Sequence, residues 1–202
     1  MASNIALKRA AKANRRKAVV AEKRKLELLN TSQSAQVLRA AQALIQHCLL
    51  CGELFESGMA TLFLARGVTS YNLTLAGFLI DAWCLGVKDT FFHAFDAESF
   101  ECLLADMEAA GPVTSVDPAY ARKLLRDAAV WAGSLGIAPH RDFAVIEKFF
   151  GDANADTCDA TFQFGRNGEP VYIPGRSESP ALIGRRVRAI GNILEKLERA
   201  EA

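Results

Sequence analysis

Asp81, Cys84, Lys88, Asp89 and His93 fall within thirteen residues, and a thiol with a histidine and carboxylates close by is the raw material of nucleophilic catalysis. A hydrolase or nuclease working through Asp81, Cys84, Lys88 and His93 is one class of function that this set admits. Asp81 is the unusual member, because it ends an otherwise apolar run and a buried carboxylate must be paired or hydrogen-bonded. Lys88 is the nearest cationic candidate, which would make the two a structural ion pair. His47, Cys48 and Cys51 form a second constellation, a C-x-x-C beside a histidine, with side chains that can chelate zinc or exchange disulfides. No second C-x-x-C and no H-x₃-H pair accompanies it, so a four-ligand site would need Cys84, His93 or Cys102 from afar. The sequence therefore predicts neither a metal nor a cofactor, and it has no Gly-rich phosphate loop of familiar spacing.

The strongest chemical signal is charge rather than catalysis. Residues 8 to 25 hold Lys8, Arg9, Lys12, Arg15, Arg16, Lys17, Lys23, Arg24 and Lys25 against one acid, Glu22, a net charge of +8 on a chain whose total is +1. The remainder carries fifteen basic and twenty-two acidic residues and is net −7. A clustered cation block is the electrostatic footprint of a polyanion contact, and its self-repulsion is costly unless phosphates relieve it. No aromatic residue interrupts the block, so phosphate or groove contact suits it better than base stacking. Arg176, Arg185, Arg186 and Arg188 make a second basic cluster near Gly175 and Gly184, where the start of a helix would favour anions.

These residues need elements to position them. From Ser3 to Leu29 there is no Gly or Pro, and Ala, Lys, Arg, Glu and Leu dominate, which predicts a long basic helix. Val37, Ala41, Leu44 and Cys48 repeat at helical spacing after the cap-forming Asn30, Thr31 and Ser32. Ala60 to Ala65 and Leu73 to Cys84 read as antiparallel strands, the second central, while Phe91 to Phe95 fits either a strand or a helix start. Helices follow over Ala97 to Ala110, from Asp117-Pro118 to Leu135, and over Asp142 to Phe150. Asn167-Gly168 supplies the positive φ values of a tight turn and predicts a second hairpin between Ala160 to Phe164 and Pro170 to Ile173. Ser179 to Arg199 closes the chain with an amphipathic helix.

Runs of hairpins and helices without strand–helix alternation predict an α+β fold: a small antiparallel sheet packed by several helices, with the basic helix beside it. Two hundred and two residues, half of them hydrophobic, suffice for one core, which divides the chain into a basic arm at 1–30 and one α+β domain at 31–202. The opening residues are too charged for a secretory signal, and no run approaches the roughly 20 apolar residues of a membrane helix. Five scattered cysteines do not form a secreted disulfide framework. The expectation is a soluble cytoplasmic protein with reduced thiols.

The stretch from Gly77 to Asp89, GFLIDAWCLGVKD, with Phe91 and Phe92 just after, resembles a motif close to G-V-[FY]-L-V-D-x-[FY]-C-L-G-V-K-[DN]-x-[FY] in an uncharacterised bacterial protein family. Gly136 to Phe143 and Phe164 to Gly175 resemble that family's G-[FI]-x-P-H-x-D-[FY] and F-G-x-[DN]-G-x-P-x-[FY]-x-x-G segments. The likeness covers roughly residues 50 to 195 and does not reach the basic arm. It implies a shared fold and a shared site near Asp81, Cys84, Gly86, Lys88 and Asp89, with His140 and Asp142 as further members.

The function expected is an accessory nucleic-acid-binding protein, associated with the ribosome or another structured RNA, with DNA as a possible ligand and no membrane partner. The hydrolase or nuclease is the alternative from a different class. A third reading makes the long helices protein–protein elements of a larger assembly.

Overall fold

Apolar residues on alternate sides of consecutive strands give this chain a sheet covered on both faces. In the computed structural model, which describes residues 32–69, 72–175 and 178–201, the order is α1 (Gln33–Ala40), β1 (Ile45–Cys51), α2 (Leu54–Ser57), β2 (Met59–Thr69), β3 (Asn72–Asp81) and β4 (Gly86–Asp96). There follow α3 (Ala97–Ala110), β5 (Val113–Ser115), α4 (Pro118–Ser134), α5 (Phe143–Ile146), 3-10 turns at Glu147–Phe150 and Ala155–Thr157, and α6 (Pro180–Glu201). The five strands pair antiparallel in the order β4-β3-β2-β1-β5, so the α+β expectation holds, with β2 rather than β3 at the centre. The long basic helix expected before Asn30 lies outside the described residues, as does Arg176.

One face of the sheet presents Leu62, Leu64, Ala76, Phe78 and Ile80 to Val37 of α1, Leu124 and Leu125 of α4, and the Phe149–Phe150 turn. The other presents Phe63, Ala65, Leu73 and Leu75 to Phe100 and Met107 of α3. Each of the Leu, Ile, Val, Phe and Met side chains among these contributes about 1.5–3 kcal/mol when fully withdrawn from water, which is what holds helices of middling propensity in place. The helix starts follow from their caps. The Asp96 carboxylate accepts from Ser99 N at 2.9 Å, and that of Asp117 from Ala119 N at 2.7 Å ahead of Pro118.

Two expectations are corrected. The helix expected to run on to Cys48 ends at Ala40, Leu44 is 73% exposed, and Cys48 lies in β1. The buried Arg66 donates to the carbonyls of Ala41 and Ala43, which a continuing helix would need for the N–H groups of Ile45 and His47. It reaches Phe150 O at 2.7 Å as well, so a tertiary contact from β2 overrides local periodicity. The second hairpin shrinks to its turn. Asn167 and Gly168 take φ of 59° and 87°, and Arg166 N donates to Glu169 O at 2.7 Å, but the flanking arms do not pair with each other. Gly165 N donates instead to Ala82 O at 2.9 Å and Val171 N to Trp83 O at 3.2 Å, which lays this segment along the β3–β4 turn.

Candidate functional site

The three motif segments meet at the turned end of the β3–β4 hairpin. Asp81, 3% exposed, caps that turn: its Oδ1 accepts from Cys84 N at 2.9 Å and Trp83 N at 3.1 Å. Burial pushes its carboxyl pKa up, while backbone N–H bonds and the more remote Lys88 pull the other way. Gly86 follows at φ 64°, and a Cβ there would stand 2.5 Å from Ala128 O, so the turn can sit against α4 only without a side chain. Cys84 is 0% exposed and packs with Leu85, Leu135 and Ile190. Burial, aided by the Asp81 charge, raises its thiol to about 12, so it is protonated at neutral pH and serves as a core side chain rather than a nucleophile.

The Asp81–Lys88 ion pair is replaced by a different one. Leu79 pairs with Asp89 and Ile80 with Val87, so a bulge leaves Lys88 unpaired in β4 and turns it toward Glu178. Its Nζ lies 3.2 Å from Glu178 Oε1, and Arg186 of α6 approaches the same oxygen at 2.7 Å. The Tyr172 hydroxyl donates to Glu178 Oε2, and the Arg186 guanidinium lies 5.9 Å from the Tyr172 ring centroid. Burial alone would raise the Glu178 carboxyl, but the hydrogen bonds from Tyr172, Lys88 and Arg186 bring it down to about 2. This cluster latches the start of α6 and the segment before it onto the hairpin, and Arg186 is engaged there rather than free for phosphate.

His93 belongs elsewhere. It pairs in register with Leu75 and stacks on Phe91 at 6.1 Å, whereas Asp81 pairs with Gly86 at the other end of β4. At roughly 3.3 Å per residue that separation excludes a Cys84–His93 couple. His140, Asp89 and Asp142 do gather, around a residue not singled out in sequence, Thr90. Thr90 Oγ1 lies 2.9 Å from His140 Nδ1, Asp142 N donates to that same nitrogen at 3.4 Å, and His140 Nε2 lies 3.7 Å from Asp89 Oδ1. A backbone N–H can only donate, so Nδ1 acts as the acceptor toward Asp142 N. Hydroxyl, imidazole and carboxylate thus follow in the order of a nucleophilic relay, but Thr90 is only 8% exposed and His140 N is bonded to Val87 O at 2.9 Å. The group fastens the 137–142 loop to the edge of the sheet.

The C-x-x-C pair cannot chelate one ion. Cys48 and Cys51 are three residues apart on a strand and face opposite sides: Cys48 lies in the α4 core, while Cys51 Sγ sits 3.5 Å from Met107 Sδ under α3. Among the described residues no group of three His, Cys, Asp or Glu side chains is placed to hold a metal ion. Of the second basic cluster, Arg185 and Arg188 are exposed on α6. The nine cations between Lys8 and Lys25 lie outside the described residues.

Sequence reasoning missed an aromatic ledge beside the hairpin end. Phe55 of α2, 41% exposed, stacks on Phe162 with centroids 6.1 Å apart and planes 12° from parallel. Phe164 stacks on Trp131 at 6.3 Å and 17°, and the Arg166 guanidinium lies 5.3 Å from the Trp83 ring centroid. Trp83 Nε1 donates to Phe55 O at 3.4 Å, which ties α2 to the hairpin turn. The F-Q-F-G-R run at 162–166 was the available signal, since alternate aromatics before a cation mark one face of an extended segment. No helix among the described residues is long and apolar enough to cross a membrane. No family model, curated protein or solved structure matches the chain.

Proposed function

We propose that this chain is an accessory nucleic-acid-binding protein that takes structured RNA, ribosomal RNA foremost, through its cationic segment. Lys8, Arg9, Lys12, Arg15, Arg16, Lys17, Lys23, Arg24 and Lys25 would supply phosphate contacts, with DNA as the secondary ligand. The observation that carries this reading is the split of charge: +8 in eighteen residues against −7 in all the rest. An acidic domain repels a polyanion, so a ligand of that kind would be held by the segment and oriented away from most of the domain surface. Exposed Arg185 and Arg188 on α6 offer an additional cationic contact. Binding of this kind releases counterions and is steep in salt: the logarithm of the affinity falls with that of salt concentration at a slope of about −0.9 per phosphate neutralised on a duplex.

Equilibrium binding of the full chain to a structured RNA, a DNA duplex and ribosomes, measured across a salt series, tests the proposal. With six of the nine cations engaged, the slope on a duplex would be about −5. Replacing the nine with Gln in the full chain should flatten that slope and abolish binding near physiological salt. Equal affinity in the two proteins would refute it.

A further inference from the structure

A cavity of about 350 Å³ opens on the aromatic ledge, lined by Phe55, Thr161, Phe162, Gln163, Gly165 and Asn167. That volume is at the small end of ligand sites, enough for one flat heterocycle and too little for a paired helix. Phe55 presents a half-exposed ring whose inner face is already stacked on Phe162. Gln163 and Asn167 are exposed, and neither side-chain amide has a hydrogen-bond partner among the described residues. Each such amide offers a donor and an acceptor side by side. Arg166 is exposed, held over Trp83, and has no carboxylate within ion-pair distance among the described residues.

We infer that this ledge is a second binding site, one that takes a single unpaired nucleobase of an RNA strand: the base stacks on Phe55, its edge meets the amides of Gln163 and Asn167, and Arg166 takes a flanking phosphate. Unpaired bases are recognised in this manner, by stacking on aromatic rings and guanidinium planes and by hydrogen bonds to their exposed edges. The cationic segment has no aromatic ring on which a base could stack, so the ledge supplies what the segment lacks. The chain's two tryptophans, Trp83 and Trp131, both belong to the ledge. The cationic segment holds no tryptophan, so intrinsic fluorescence arises from the ledge and its surroundings.

The ledge goes beyond the phosphate-binding reading and fails separately from it. The test is a fluorescence titration of the full chain with octa-adenylate at about 0.5 M salt, where exposed phosphate contacts are largely screened. A saturable quench is expected that persists in the nine-Gln variant and weakens roughly 5- to 150-fold in Phe55→Ala. Gln163→Ala alters an exposed side chain without partners, leaves folding untouched and should weaken the quench on its own. An absent quench, one insensitive to both Phe55→Ala and Gln163→Ala, or one matched by a fully paired RNA duplex would overturn the inference. In each of those cases the salt dependence of the cationic segment would stand or fall on its own measurement.

Discussion

The hairpin end and the aromatic ledge are neighbours, one built mostly from charged side chains and the other from aromatics and amides, and they differ in what those side chains have left to offer. At the hairpin end Asp81, Lys88, Glu178, Arg186 and Tyr172 are buried or half-buried, and each is already engaged in an ion pair or a hydrogen bond with another of them or with the backbone. On the ledge the Phe55 ring, the Gln163 and Asn167 amides and the Arg166 guanidinium face solvent. A dense cluster of chemically capable residues is thus no guide to function by itself. What separates the two regions is whether the fold has already used the groups.

If that contrast is correct, damage at the hairpin end is read in stability and damage on the ledge in binding. Gly86→Ala should cost most, about 3 kcal/mol, because it combines a left-handed φ with a Cβ 2.5 Å from the Ala128 carbonyl. A drop in melting temperature of about 6–12 °C would report it. Asp81→Ala comes next at about 2–3 kcal/mol, since it leaves the buried N–H groups of Trp83 and Cys84 unpaired. Denaturant midpoints give this directly, and a loss below about 0.5 kcal/mol would mean that the turn does not depend on its cap.

Glu178→Gln should destabilise by about 1–2 kcal/mol by leaving Lys88 and Arg186 facing each other without their counter-charge. The wild-type latch also carries a pH signature. A carboxyl held down at about 2 in the fold, below its ordinary value, contributes stability that is fully present above about pH 5. That contribution is lost as pH falls from about 5 toward 2, and Glu178→Gln should remove this part of the acid sensitivity. Phe55→Ala should move stability least, by about 1 kcal/mol, because the ring is 41% exposed. Thiol labelling sharpens the contrast further: exposed Cys102 should react with iodoacetamide in the native protein, whereas Cys48 and Cys84, whose thiols burial raises to about 12, should react only on unfolding.

Much of the fold was legible because local signals agreed with it. The Asp96 and Asp117 caps, Pro118 and the Gly111 stop mark α3 and α4, and the apolar runs mark β2 and β3. β1 was obscured because Val37, Ala41, Leu44 and Cys48 keep helical spacing across a break held by Arg66 and Gly67, from a later strand. β5 is three residues long and has no pattern to read. Asn167-Gly168 did announce a turn, but its arms pair with the β3–β4 turn, a choice set by tertiary contacts. The candidate site divided in the same way. Asp81 was rightly singled out as a buried carboxylate needing a partner, yet the partners are backbone N–H groups two and three residues on, which a local reading favouring Lys88 passed over. The ledge joins Phe55 to Phe162 across more than a hundred residues, and no spacing rule reaches that far.

The most direct measurement is photocrosslinking of the full chain to a structured RNA carrying 4-thiouridine in its unpaired loops, followed by identification of the linked peptides. Crosslinks in the peptides holding residues 8–25 and 162–167, with none at Lys88 or Cys84, are the predicted result. Crosslinks concentrated at the hairpin end, or none in either of the first two regions, would contradict the assignment of binding to the open groups and of structure to the satisfied ones.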